Sequence, residues 1–292
     1  IIFRRYVVEQ HRTVLIFKFI LFTLFFTTHA IVAQTITEKY KNVTVNAEWV
    51  ASSTNTSKKP VFLLLHGSLA HGKMELIQAT QTLLKEKGYQ SLAITLSLNE
   101  ANRKGMYDCK SKHTHKITDA GDELDFWLAW LKKQGVSNVY LLGHSIAPYQ
   151  LLNFVNSKKV NIVKKLILYA PTNFEFKQRA LAYKKQTGKS LESLLSKAAS
   201  LKKQNKGKTL MGPVRFLHCN DAKVSAESFF SYYKNSDQLT ISYQLKLNRK
   251  KNNLPVQVFV GSDDKLAGYF LPELKQFAKK NLLTLQVING AN

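Results

Sequence analysis

One serine in this sequence stands among neighbours whose types and spacing suit covalent chemistry. Gly143-His144-Ser145-Ile146-Ala147 follows the aliphatic run at 139–142 and precedes apolar positions at Tyr149, Leu151, Leu152 and Phe154. A run that short reads as a buried strand, and the spacing after it reads as a helix. A serine on a tight strand-to-helix turn has its Oγ thrust out above a sheet, beside N–H groups that open at the helix N-terminus. So sharp a turn demands small residues two before and two after the serine. Gly143 and Ala147 meet that demand. With a base to take its proton, such a serine attacks acyl carbonyls.

Other groups could work with it. Asp263 and Asp264 end the run Gly261-Ser262-Asp263-Asp264, and His66-Gly67 closes the apolar run at 60–66. His113 and His115 sit near Asp108 and Cys109 and offer two imidazoles, but no third ligand is apparent, so no metal site is expected. Both read first as ordinary loop structure and His66 as a structural residue of its turn, with pocket lining the alternative for all three and for Asp263. His144 reads as a packing residue within the turn. Cys109 and Cys219 are the only cysteines, without a CxxC pattern. One disulfide or two buried thiols fit equally; a bridge would be worth about 4–5 kcal/mol by chain entropy. No cofactor is expected.

The elements that must position these groups alternate. Val43, Val45, Ala47 and Trp49 mark one face of a strand over 43–50, and a polar link covers 52–59. The run PVFLLLH at 60–66 has the continuous apolar character of a strand buried on both faces. A helix follows through Met74, Ile77, Leu83 and Leu84, with Gly88 as its C-cap, then a strand over 91–95. A helix over 118–134 carries acids in its first half and Lys132 and Lys133 in its last turn, which complements its dipole. Strands at 139–142, 163–169, 255–260 and 282–288 continue the pattern, with a helix at 271–280. This rhythm predicts an α/β domain with a doubly wound, mostly parallel sheet. It breaks over 170–254, a lysine-rich stretch with helices expected near 191–203 and 226–233, which reads as a lid or cap over the strand ends.

Composition bounds the partners. Hydrophobic residues make up 45% of the chain and charged residues 21%, which is ordinary globular character. The net charge of +24 has no arginine-rich stripe interleaved with aromatics, so nucleic acid is not expected. Residues 1–33 have early arginines, an apolar run and a small-residue end, and read as a signal peptide, in preference to a membrane anchor. The remaining 34–292 is then a periplasmic or secreted domain. Lys184, Lys185, Lys202, Lys203, Lys206 and Lys208 suggest weak association with an anionic envelope surface.

The order of His66-Gly67, G-x-S-x-A and Gly261–Asp264 along the chain resembles the α/β-hydrolase fold of esterases and lipases over roughly 43–292. The resemblance implies Ser145 as nucleophile, the backbone N–H groups of Ser68 and Ile146 as oxyanion hole, and Asp264, in preference to Asp263, as the acid. It implies a small-molecule or lipid ester (or a thioester or amide) as substrate, cleaved through an acyl-enzyme. The family's base is a histidine after the last strand. Val287–Asn292 looks like the run-in to it, so the expected continuation is Asn292-His, and the chain as written is expected to be weak or inactive. A non-catalytic relative that binds an anionic or lipidic ligand is the alternative.

Overall fold

The computed structural model describes residues 33–52, 59–265 and 267–291. Most of the expected signal peptide, most of the polar link and Asn292 lie outside them. Among the described residues no helix is long and apolar enough to cross a membrane.

Eight strands form one sheet in the order β1 (Gln34–Tyr40), β2 (Val43–Val50), β4 (Ser91–Thr95), β3 (Val61–Leu65), β6 (Val139–His144), β7 (Val163–Tyr169), β10 (Val256–Gly261), β11 (Thr284–Ile288). β1 and β2 are antiparallel to their neighbours, and from β4 to β11 every pairing is parallel. β3 shows why the sheet is central. All five of its residues are buried; Leu63 and Leu65 join one core layer while Phe62 and Leu64 join the other, as the two-residue period of a strand requires.

The helix α1 (Glu75–Glu86) places Ile77 against Phe62 and Leu64. Leu124, Trp127 and Leu131 of α2 (Asp119–Lys133) enter the other layer, together with Leu151, Leu152 and Phe154 of α3 (Ala147–Ser157). β2 departs from the expected one-sided burial, because Asn46 and Glu48 on its polar face are buried too. Asn46 is satisfied by Asn102 Oδ1 and the Arg103 carbonyl, and Glu48 by Thr35 Oγ1 and Lys73 Nζ. Buried polar groups persist where they are paired in this way.

Between β7 and β10 the chain leaves the sheet. It forms α4 (Phe176–Thr187), α5 (Leu191–Lys203), a hairpin of β8 (Leu210–Phe216) and β9 (Cys219–Ser225), and α6 (Ala226–Tyr233). The next helix, α7 (Ile241–Lys251), belongs to the sheet's own layer: Asn156 of α3 donates to both the carbonyl and Oε1 of Gln244 at 2.9 Å. The excursion is therefore narrower than 170–254. α8 (Leu271–Lys279) then connects β10 to β11.

The loop after β4 reaches up to the excursion. Its short strand β5 (Lys112–His113) pairs parallel with β9, giving a second sheet in the order β5-β9-β8. Cys109 and Cys219 form a disulfide at the same junction, with Cα atoms 5.4 Å apart.

Candidate active site

Parallel pairing from β3 through β10 brings the carboxyl ends of these strands to one edge of the sheet. Ligands of such sheets bind at that edge. Gly67, Ser145, Thr172 and Asp264 all stand on loops that leave it.

Ser145 is the sharpest of these turns, with φ at +63°, a left-handed conformation that few non-glycine residues adopt. Its N–H donates to the Tyr169 carbonyl at 3.0 Å, and its carbonyl accepts from the Thr172 N–H at 2.9 Å. Two bonds to the β7 end thus over-determine the strained residue, and strain held in this way clusters at functional sites. A Cβ on Gly143 would lie 2.8 Å from Leu151 Cδ1 and 2.9 Å from Ala147 Cβ, so only glycine lets β6 approach α3. Ala147 has room for its methyl and no more. Pro148 sits in the first turn of α3, where its missing N–H has no helical acceptor to lose.

The loop after β3 comes equally close. A Cβ on Gly67 would lie 3.3 Å from Ser145 Cβ. Among the described residues, neither the Ser68 nor the Ile146 N–H donates to another protein group, and both residues line the cavity with Ser145. Ile146 caps α3, so its N–H belongs to the free N-terminal set of that helix.

His66 is fully engaged behind this loop. Its Nδ1 donates to the Gly67 carbonyl at 2.8 Å, while Nε2 accepts from the Leu96 N–H at 3.1 Å and faces Arg103 Nη2 at 3.3 Å. Burial, with the Arg103 charge adding to it, lowers its pKa to about 3. Arg103 in turn donates to the carbonyls of Leu96, Ala70 and Gly105 at 2.6–2.7 Å. His66 therefore shapes the loop after β3, the structural role read from the sequence, and does not line the cavity.

His113 and His115 pack within the structure and do not line this cavity. Both are completely buried at the junction of the β4–α2 loop with the excursion, among Tyr107, Phe216 and Tyr232. His115 Nδ1 lies 2.9 Å from the Tyr232 hydroxyl, and burial lowers the pKa of this ring to about 3. The loop does emerge at the active edge, but it turns inward to pack. Asp263 is exposed, accepts from Ser262 Oγ at 2.7 Å and lies outside the cavity wall.

Asp264 is half-buried, with Oδ1 accepting from the Ala267 N–H at 2.8 Å. Burial lowers the pKa of His144 and the Asp264 carboxylate opposes that shift, so the two groups are electrostatic neighbours. His144 lines the cavity and is not the packing residue its position suggests. The segment after β11 is fastened to the turn at 261–264: Ser262 N–H donates to the Ile288 carbonyl, Asp263 N–H to that of Ala291, and Gly290 N–H to Ser262 Oγ, each at 2.9 Å. Among the described residues no histidine bonds Ser145 Oγ, whose neighbour is Thr172 Oγ1 at 3.4 Å.

The cavity over Ser145 has a volume of about 440 Å³. Its floor is the strand-end loops; its far wall is the excursion, through Arg179 and Tyr183 of α4, Arg215, Leu217 and His218 of the hairpin, and Tyr233 of α6. Thr172, Arg179 and Arg215 escape a reading by motif. A signal was nonetheless present, since residues 33–292 hold only four arginines, Arg103, Arg179, Arg215 and Arg249, amid abundant lysine. Two of the four face this cavity.

No protein-family model matches the chain, and no curated protein does. Solved structures do. Est1E of Butyrivibrio proteoclasticus with ferulic acid bound matches with a TM-score of 0.60 at 16% identity, covering 87% of this chain and 89% of that one. The α/β hydrolase GrgF of Penicillium sp. sh18 matches with 0.60 at 10% identity, over 89% and 90%. An esterase of Exiguobacterium antarcticum matches with 0.53 at 16% identity, over 88% and 90%.

Proposed function

We propose that this chain, whose fold is that of the α/β hydrolases, is an exported serine hydrolase that cleaves esters through an acyl-enzyme on Ser145. The observation that carries the reading is the strained Ser145 backbone, held at a cavity that Ser68 and Ile146 also line, with neither of their N–H groups bonded among the described residues. The esterases among similar structures support an ester substrate, and a cavity of this size suits a small one.

In this reading Ser145 Oγ attacks the carbonyl carbon while its proton passes to a base. The carbonyl oxygen becomes an oxyanion, for which the N–H groups of Ser68 and Ile146 would be the donors. Collapse of the intermediate expels the alcohol, which takes up the proton, and water releases the acid by the same steps. The segment at 288–291 is fastened to the turn that carries Asp264, so an imidazole base held beside that segment would meet its carboxylate. Asp264 would orient that ring and stabilise its charged form. The Cys109–Cys219 bridge supports the exported setting, since disulfides persist in oxidising compartments.

The test is turnover of p-nitrophenyl esters of short acids by the natural full-length protein and its Ser145→Ala variant. A loss of about 10³-fold or more in kcat is expected. Equal turnover by both would remove Ser145 from the reaction.

A further inference from the structure

Among the described residues, the wall of the cavity over Ser145 carries two guanidinium groups, Arg179 and Arg215, and no aspartate or glutamate. Arg179 is the unusual one. Its Cζ lies 4.6 Å from the centroid of Phe174 and 4.5 Å from that of Tyr233, so it is stacked against two rings. Nη1 donates to the Tyr232 carbonyl at 2.7 Å, which fixes the plane of the group. Among the described residues it has no other hydrogen bond and no carboxylate partner. Burial draws its pKa down to about 10, a value that leaves it charged at neutral pH, and no carboxylate contributes to the shift.

A fixed, half-buried cation without a carboxylate partner is costly to a fold, and perturbed groups of this kind cluster where a ligand supplies the opposite charge. The remaining N–H groups of a guanidinium suit the two oxygens of a carboxylate. Arg215 stands on the hairpin in the same wall, where its carbonyl accepts from the Tyr183 hydroxyl of α4 at 3.1 Å; its guanidinium bonds Asn220 Oδ1 and likewise has no carboxylate partner among the described residues. The adjoining Leu217 has φ at +54°, and its N–H is held by the Tyr233 hydroxyl at 2.8 Å. The hairpin tip is therefore fixed to the ring that stacks on Arg179.

We infer that this wall is an anion subsite, and that the preferred substrates are esters whose acyl part ends in a free carboxylate, bound by Arg179 with Arg215 in support. The inference rests on Ser145 as the nucleophile and adds the chemical class of what it attacks.

Two near-isosteric substrates separate the effects: mono-p-nitrophenyl glutarate, which carries the carboxylate, and p-nitrophenyl pentanoate, which lacks it. For the natural full-length protein kcat/KM is expected to favour the glutarate ester by about tenfold or more, because hydrogen bonds to charged groups are strong when desolvated. That ratio should fall by about tenfold in Arg179→Gln and by less in Arg215→Gln. Lys197→Gln, an exposed change on α5, controls for the bulk positive charge and should leave the ratio unaltered. Arg215 is further from the core, so its variant serves if Arg179→Gln fails to fold. A native preference at or below one, or a ratio unmoved by both arginine variants, overturns the subsite. If neither ester shows Ser145-dependent turnover, the hydrolase reading itself has failed. The subsite is then read by calorimetric binding of glutarate, where weakening by Arg179→Gln supports it and absence of binding overturns it.

Discussion

Ser145 combines a left-handed backbone with a side chain that no strong hydrogen bond restrains, since Thr172 Oγ1 stands 3.4 Å away. Such a serine is legible in sequence because its demands are local. Gly143 and Ala147 lie within two residues of it, and the His66-Gly67 turn follows a strand with an obvious apolar signature. Thr172, Arg179 and Arg215 are illegible for the opposite reason, since only tertiary structure brings three separate segments to one cavity. The burial of His113 and His115 is not legible, because it depends on Phe216 and Tyr232, more than 100 residues away in the chain. The acid gives a clean prediction. Asp264→Asn should lower kcat/KM by about 10³-fold or more, while Asp263→Asn, at an exposed turn position, should stay within about threefold. A steady-state comparison of the two variants checks it, and a larger loss at Asp263 would reverse the assignment. Acid sensitivity follows from His115. In the unfolded chain a histidine titrates near 6.5, whereas in the fold His115 does so only at about 3. Between these values the unfolded state binds more protons, so stability is full above the upper value and is lost as pH falls toward the lower. One such group adds a slope of about 1.4 kcal/mol per pH unit. His115→Gln should lessen the pH dependence of unfolding free energy by about that slope from about pH 6 to about pH 4. Chemical denaturation at several pH values measures it, and an unchanged slope would mean that this ring titrates freely.

At the scale of elements, the buried parallel strands declare themselves because continuous aliphatic runs have few other uses. β3, β4, β6, β7 and β10 are of this kind. The polar edge strand β1 (QTITEKY) and the hairpin strand β8 (LMGPVRF) do not have that signature. Gly212 and Pro213 interrupt β8, and a strand containing proline is ordinarily taken for a loop or an edge. α4 (FKQRALAYKKQT) lacks a broad apolar stripe because only Ala180 and Tyr183 are buried along it. Its work is to carry Arg179 and Tyr183 to the cavity. The elbow between β6 and α3 is the least forgiving junction. Gly143→Ala would place a methyl 2.8 Å from Leu151 Cδ1 and 2.9 Å from Ala147 Cβ, with the Ala147 carbonyl carbon at 3.1 Å. Leu151 can turn aside, but the backbone atom cannot. The change should destabilise the protein by about 2 kcal/mol, as overpacking generally does, and should lower kcat with it by displacing the serine. Denaturant unfolding beside turnover checks both. Full activity and stability would show that α3 moves freely relative to β6.

On the scale of the whole molecule, the excursion over the active edge is tied down at several points. β5 pairs with β9, the Tyr232 hydroxyl meets His115, Ser231 Oγ accepts from the Ile117 N–H at 3.2 Å, and Cys109–Cys219 makes the link covalent. The bridge joins positions 110 residues apart. Closing so long a loop restrains the unfolded chain by about 4–5 kcal/mol in the chain-entropy model. The double variant Cys109→Ser, Cys219→Ser should lose about that much unfolding free energy. Reduction of the natural protein should reproduce the loss, and equal stability with and without the bridge would contradict it. The sequence left the state of the two thiols open because pairing is decided by how the loop and hairpin meet, which no local pattern encodes. The remaining question is whether the strained serine is chemically competent. Intact mass measurement of the natural full-length protein after treatment with a fluorophosphonate answers it most directly. One adduct per chain, mapped to Ser145 by peptide digestion and absent from Ser145→Ala, is the predicted result. An adduct elsewhere, or none at Ser145, would contradict the account.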